Sequence, residues 1–218
     1  MIELSIDGKK TKVSAEATVL EAARGLGIHI PTLCYHEALV PTGACRLCIV
    51  EVMGKGSART VASCVTPVEE GMVITTDSEK ILSMRRTIVE LLLSRCPKVP
   101  IIQKLAKELG IRKPRFRTED DDCFLCGLCV RACDEIVGVG AIGFSERGIE
   151  SAVTPPFKQV SAVCIGCGTC TTICPARTFE LEDVNPVVSK HRFSKEYLKQ
   201  PCKICGSYYP VSENHRHE

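Results

Sequence analysis

The sequence predicts an α+β protein built from small modules, and three observations carry that expectation. Alternating apolar residues and turn signals in the first 78 residues set up short strands around one capped helix. A helical apolar pattern follows over residues 79–94. Beyond residue 119 cysteine spacing, rather than apolar periodicity, organises the chain. The domains expected are a small sheet domain at 1–78, a helical linker at 79–118, a cysteine-ligated module at 119–181 and an extended tail at 182–218.

In the first domain Ile2, Leu4 and Ile6 alternate with polar residues, which reads as a strand. Asp7-Gly8 reads as a hairpin turn, with a second strand near Lys12 to Ser14. Thr18 and Glu21 form a T-x-x-E capping box, and Val19, Leu20, Ala22, Ala23 and Leu26 continue it as a helix stopped by Gly25 and Gly27. Ile49–Met53, Arg59–Ala62 and Met72–Thr75 read as further strands, with a turn at Gly54–Ser57. Strand, strand, helix, loop, strand, strand is the order of a β-grasp sheet. The next helix, residues 79–94, is capped by Asp77 or Ser78 and broken by Pro97 and Pro100. Ile101–Leu109 is a short second helix ended by Gly110. A basic run, Arg112 to Arg117, meets an acidic one, Glu119 to Asp122, and reads as a linker. Pro186, Pro201 and Pro210 punctuate a polar, extended tail.

Composition narrows the chemistry. Cysteine accounts for 15 of 218 residues, tryptophan is absent and aromatics are 5 %, so the modules call for staples beyond a packed core. The start, MIELSIDGKK, lacks the basic and apolar regions of a secretory leader, so a reducing, cytoplasmic setting is expected, peripheral to a membrane through partners at most. No apolar run approaches the ~18–20 residues of a transmembrane helix. A net charge of +2 gives no electrostatic footprint for nucleic acid. No P-loop, HExxH motif, flavin fingerprint or Ser/His/Asp set appears, so no catalytic residue is assigned. Gly138-Val-Gly140-Ala-Ile-Gly143 matches G-x-G-x-x-G, but it lies between cysteine motifs with Pro155-Pro156 soon after. Direct nucleotide binding is not expected.

Twelve cysteines fall into three groups of four. Cys34, Cys45, Cys48 and Cys64 are spaced C-x10-C-x2-C-x15-C. Four thiolates on a β-grasp loop suit a [2Fe–2S] cluster, whereas structural zinc favours two short knuckles and here only one pair is short. Cys123, Cys126, Cys129 and Cys133 form C-x2-C-x2-C-x3-C, and Cys164, Cys167, Cys170 and Cys174 repeat it, followed by Pro175. This is the run of bacterial two-cluster ferredoxins, in which each fourth cysteine crosses to the other cluster. One [4Fe–4S] is therefore expected on Cys123, Cys126, Cys129 and Cys174, the other on Cys133, Cys164, Cys167 and Cys170. Gly127, Gly166 and Gly168 are expected to leave room for the sulfides, and residues 134–163 to form an inserted hairpin. Cys202 and Cys205 make a knuckle that His215 and His217 complete as a zinc site, or that Cys96 joins in an additional cluster.

The stretch PTLCYHEALVPTGACRLCIVEV, with ASCVTPVEEGMVITT and RRTIVELLLS, resembles the N-terminus of the large iron–sulfur subunit of respiratory complex I. It is still more similar to the small diaphorase-type subunit of NAD-linked [NiFe] hydrogenases and of electron-bifurcating hydrogenases and formate dehydrogenases. The likeness covers residues 1 to about 181. Such subunits place a His and three cysteines after the helix to hold another [4Fe–4S], where this chain reads Ser94-Arg95-Cys96-Pro97-Lys98-Val99-Pro100. That cluster is absent or rebuilt.

The resemblance implies an electron-transfer subunit of a multi-subunit NAD(P)-linked oxidoreductase. Its implied partners are a flavin-containing NADH-oxidising subunit, a thioredoxin-like [2Fe–2S] subunit and a separate catalytic subunit acting on hydrogen, formate or an aromatic-CoA substrate. The second reading is a free-standing ferredoxin-like carrier, against which the +2 charge argues, since such carriers are usually strongly acidic.

Overall fold

The computed structural model describes residues 1–54, 57–116, 119–159, 161 and 163–178, and the backbone of 199–201 and 208–210. The chain divides into two compact units, Met1–Cys126 and Gly127–Glu218.

The first unit opens with β1 (Ile2–Ile6) and β2 (Lys9–Val13). The second strand begins earlier than residues 12–14 because Asp7 and Gly8 both take positive φ, 48° and 77°, and close a two-residue turn of the kind whose twist matches paired strands. Pairing then runs through from Ile6↔Lys9 to Ile2↔Val13. The Asp7 carboxylate also accepts bonds from the Thr76 N–H (2.8 Å) and hydroxyl (2.7 Å), tying the turn to a distant strand end.

Helix α1 (Val19–Gly25) starts in the expected capping box: the Thr18 Oγ1 accepts from the Glu21 N–H and Glu21 accepts from the Thr18 N–H. Val19, Leu20, Ala22 and Ala23 lie on its buried face. Strands β3 (Ile49–Met53), β4 (Ala58–Ala62) and β5 (Val73–Thr75) complete a five-stranded sheet in the order β2-β1-β5-β3-β4. The β1–β5 pair is parallel, with Ile6↔Ile74, and the other pairs are antiparallel. A central parallel pair flanked by hairpins under one helix is the β-grasp arrangement. Leu4, Ile6, Leu20, Val50, Val52 and Ile74 form its core, and Cys48 and Cys64 are embedded in it.

Helix α2 (Glu79–Arg95) is capped by Ser78, whose Oγ accepts from the Ile81 N–H. It packs on β3 and on α3 (Pro100–Glu108), which has proline in its first turn. The stretch read as a linker is pinned to α2: the Arg115 guanidinium contacts the Glu90 carboxylate (2.6 Å) and Arg95 contacts Asp121 (2.6 Å). The Glu119 N–H donates to the Ser94 carbonyl at 2.7 Å. One residue of each charge run, Arg115 and Asp121, is thus the partner of a charge on α2.

The second unit holds α4 (Leu128–Arg131), a π-helical turn (Ala132–Ile136), the hairpin β6 (Gly143–Ser145) with β7 (Ala152–Thr154), and α5 (Thr169–Ile173). The hairpin is the expected insertion, paired at Phe144↔Val153. The Gly138–Gly143 stretch follows a π-turn and enters a strand, the reverse of the strand-to-helix order of a dinucleotide loop. Strands β8 (Lys199–Pro201) and β9 (Tyr208–Pro210) pair antiparallel in the tail. Among the described residues no helix is long and apolar enough to cross a membrane.

Candidate metal centres

Cys34 and Cys45 come from the loop between α1 and β3, Cys48 from the entry to β3, and Cys64 from the end of β4. Positive φ at Gly43 (63°) and Arg46 (56°) coils this loop. The Arg46 conformation costs an L-residue energy and is held by its surroundings. Coiling aims the Cys45 N–H at the Cys34 Sγ, 3.3 Å away, and Cys48 Sγ and Cys64 Sγ share a hydrogen bond at 3.3 Å. Cys34, Cys48 and Cys64 are each about 1 % exposed, while Cys45 is half-buried at the loop surface.

Four thiols so close cannot ionise independently. The hydrogen bond between Cys48 and Cys64 pulls the Cys48 thiol down and pushes the Cys64 thiol up. The bond with Cys34, then burial, pushes Cys45 up. The Ser63 hydroxyl, 0 % exposed, faces the Cys48 thiol and contributes to lowering it. Four clustered thiols, none of them in a disulfide, have the donor chemistry that a sulfur-ligated iron group needs. A dense thiolate set of this kind accepts iron by releasing protons.

The two C-x2-C-x2-C-x3-C runs share one backbone. Leu125 (φ 54°) in the first corresponds to Gly166 (φ 67°) in the second. Gly127 and Gly168 both take φ 74° and ψ 5° at the start of α4 and α5. At Gly127 a Cβ would meet the Phe144 ring at 3.2 Å, so this glycine serves its left-handed turn and a close aromatic contact. Such left-handed residues turn successive N–H groups toward one point, a concavity for anions. The Leu125 N–H points to Cys123 Sγ at 3.4 Å and the Ala141 N–H to Cys133 Sγ at 3.2 Å.

Within the second unit, Cys133, Cys164, Cys167 and Cys170 line one small cavity of about 20 Å³, walled by Val139 and Ile142. Burial pushes Cys170 up to about 11 and raises Cys164 as well. Cys129, Cys133 and Cys170 are buried together with Ala141 and Ile142. Cys123 and Cys126 belong to the first unit, Cys129 and Cys174 to the second. No disulfide joins any of the thirteen described cysteines. Among the described residues no group of three or more His, Cys, Asp or Glu side chains surrounds the position of a single metal ion.

Cys96 is fully buried at the C-terminal end of α2, where its N–H donates to the Leu92 carbonyl (2.8 Å) and burial pushes its thiol up to about 12. Cys202, Cys205, His215 and His217 lie outside the described residues. His36 is exposed, and its Nδ1 accepts from the Ala38 N–H.

Sequence reasoning missed two arginines. Arg85, 5 % exposed, donates from Nε to the Leu47 carbonyl (3.0 Å) and from Nη2 to the Ile49 carbonyl (2.7 Å), the residues on either side of Cys48. Its signal was register: it stands four residues after Ile81 and four before Val89, both wholly buried. Arg95 donates to the Cys123 carbonyl (3.0 Å) while Asp121, its ion-pair partner, accepts from the Cys123 N–H (3.0 Å).

A β-grasp sheet with four clustered thiols, followed by a duplicated four-cysteine module, defines an iron–sulfur protein with two kinds of cluster domain. Residues 1–79 match the 2Fe-2S iron-sulfur cluster binding domain and residues 122–178 the 4Fe-4S dicluster domain. The crystal structure of an NAD+-reducing [NiFe]-hydrogenase in the H2-reduced state superposes with a TM-score of 0.63 at 31% identity, over 71% of this chain and 75% of that one. The chain is 36% identical over 208 residues to a subunit of the NADP-reducing hydrogenase of Solidesulfovibrio fructosivorans, covering 80% of this chain and 35% of that protein. It is 36% identical over 203 residues to the NADPH-Fe(3+) oxidoreductase alpha subunit of Geobacter sulfurreducens, covering 82% and 24%. The match to a G-type subunit of the NADH-quinone oxidoreductase of Rhizobium meliloti is 35% over 202 residues, covering 80% and 23%. The chain belongs to the family of iron–sulfur subunits of NAD(P)-linked hydrogenases and NADH-quinone oxidoreductases. It spans about a quarter to a third of the length of these curated relatives.

Proposed function

We propose that the chain is an electron-transfer subunit of a hetero-oligomeric NAD(P)-linked oxidoreductase. It would pass electrons between a flavin-containing NADH-oxidising subunit, with a thioredoxin-like [2Fe–2S] subunit alongside, and a separate catalytic subunit, hydrogenase first among the classes considered. The observation that carries the reading is the cavity that gathers Cys133 with Cys164, Cys167 and Cys170, the crossed set expected of a two-cubane ferredoxin. Iron–sulfur clusters, when bound, take up and release single electrons.

The residues divide the task by position. Cys34, Cys45, Cys48 and Cys64 would hold the [2Fe–2S], with the Cys45 N–H and the Ser63 hydroxyl turned toward its sulfurs. Cys123, Cys126, Cys129 and Cys174 would hold one [4Fe–4S], and Cys133, Cys164, Cys167 and Cys170 the other. The Ala141 N–H and apolar Ile142 would dampen negative charge and exclude water at the second set. Zinc or a further cluster at Cys202, Cys205, His215 and His217, with or without Cys96, remains part of the proposal for the tail, as do the module boundaries at 78, 118 and 181 and a cytoplasmic location.

The test is a native preparation of the complex. Adding NADH or NADPH anaerobically should bleach the broad visible absorption of the chain's clusters within turnover time and yield reduced-cluster resonances. A chain that purifies alone as a monomer, and is reduced by dithionite but by neither nucleotide with any co-purifying flavoprotein, would favour the free carrier instead.

A further inference from the structure

Arg85 is a charged side chain buried between α2 and the start of β3. The side chain is 5 % exposed, lies on the face of α2 that carries Ile81 and Val89, and reaches β3 to bond the carbonyls of Leu47 and Ile49. Among the described residues it forms no ion pair with a carboxylate. A buried guanidinium with no carboxylate in direct contact is costly, and burial draws its pKa below the ordinary arginine value. The opposite charges that act on it are Cys48 first, then Asp77 and Asp7. The two carbonyls it holds belong to the residues immediately before and after Cys48, so the guanidinium fixes the peptide run that aims this thiolate. It also brings a permanent positive charge to a thiolate-rich centre.

We propose that Arg85 is the positioning residue of the [2Fe–2S] centre: it clamps the two carbonyls flanking Cys48 and supplies the buried positive charge that raises the centre's reduction potential. The inference rests on the [2Fe–2S] reading of Cys34, Cys45, Cys48 and Cys64. A fixed cation in a low-dielectric site favours the more negative, reduced state, and both terms of that statement strengthen with burial. Arginine rather than lysine suits the position. Two carbonyls set two residues apart need a fork of donors, whereas an ammonium reaches one at a time and is easily neutralised when buried.

The experiment is a potentiometric titration, followed by electron paramagnetic resonance, of the full chain loaded with iron and sulfide. Wild type, Arg85→Gln and Arg85→Lys are compared. The glutamine variant should show the [2Fe–2S] resonance at a clearly lower midpoint potential, with the cubane midpoints unmoved. The lysine variant should recover most of that loss at neutral pH and give it up at a pH below that at which free lysine deprotonates. A glutamine variant with its resonance intact at the wild-type midpoint overturns the proposal. So does a lysine variant no higher than the glutamine one at neutral pH. If the glutamine variant loads no [2Fe–2S], the lysine variant decides: a midpoint equal to wild type at every pH means that Arg85 serves folding alone, and a pH-dependent fall supports the proposal. A wild-type chain with no [2Fe–2S] resonance at all would instead defeat the underlying reading of the four cysteines.

Discussion

Cys96 separates what a single residue looks like in sequence from what it can do. The resemblance puts it where a cluster ligand is expected, yet it is fully buried, and burial pushes its thiol up to about 12. At pH 8 that leaves on the order of one thiolate in ten thousand. Iodoacetamide footprinting of the native chain at pH 8 should leave Cys96 unmodified while it labels readily after denaturation. Labelling of Cys96 at the rate of an exposed thiol in the folded chain would contradict its burial. The sign of the linkage follows: unfolding favours the thiolate, so Cys96 leaves stability untouched below pH ~9 and erodes it as pH rises from ~9 through 12. Replacing Cys96 with alanine should flatten that alkaline decline. Gly127 is the second residue whose meaning depends on structure. Its φ of 74° and the Phe144 ring, 3.2 Å from where a Cβ would stand, both oppose a side chain, so Gly127→Ala should destabilise the module by about 1–2 kcal/mol in denaturant unfolding. Adding Phe144→Ala should relieve the steric part only. A neutral Gly127→Ala would mean that the turn relaxes without cost.

Among the elements, α2 connects more than it spans. Its Arg85 holds the strand that carries Cys48, and its Arg95 holds the backbone of Cys123, the first cysteine of the duplicated motifs. Ten residues of helix separate the two grips, about 15 Å along the axis. Arg95→Gln removes the ion pair with Asp121 and one bond to Cys123, so protease nicking between residues 119 and 126 should accelerate several-fold while the β-grasp sheet unfolds at its usual denaturant concentration. Unchanged nicking would show that the Glu119 and Asp121 backbone bonds suffice. Much of this element was legible: the apolar stripe, the Ser78 cap and the proline stop all act locally. The arginines were not, because their partners lie 36 and 28 residues away and a charged side chain on a helix defaults to solvent in sequence reasoning. The acidic run at 119–122 was misread as linker for the same reason.

At the scale of the molecule, cysteine spacing made the sites legible because ligand geometry constrains sequence directly: four sulfurs around one cluster fix short spacings whatever the surrounding core. The strand order was legible through hairpins, whereas the central parallel β1–β5 pairing joins Ile6 to Ile74 and leaves no local mark. Spacing alone did not locate the buried hydroxyl of Ser63 or the shared backbone angles of the two motifs. The proposed electron-transfer role calls for three carrying centres within the chain. The decisive measurement is iron and zinc quantification of the anaerobically purified chain, combined with electron paramagnetic resonance at graded potentials. About ten iron atoms per chain and three separately reducible centres are expected, one with a [2Fe–2S] signature and two with [4Fe–4S] signatures. Zinc in place of iron at the twelve cysteines, or iron near two atoms per chain with a single centre, would contradict that assignment.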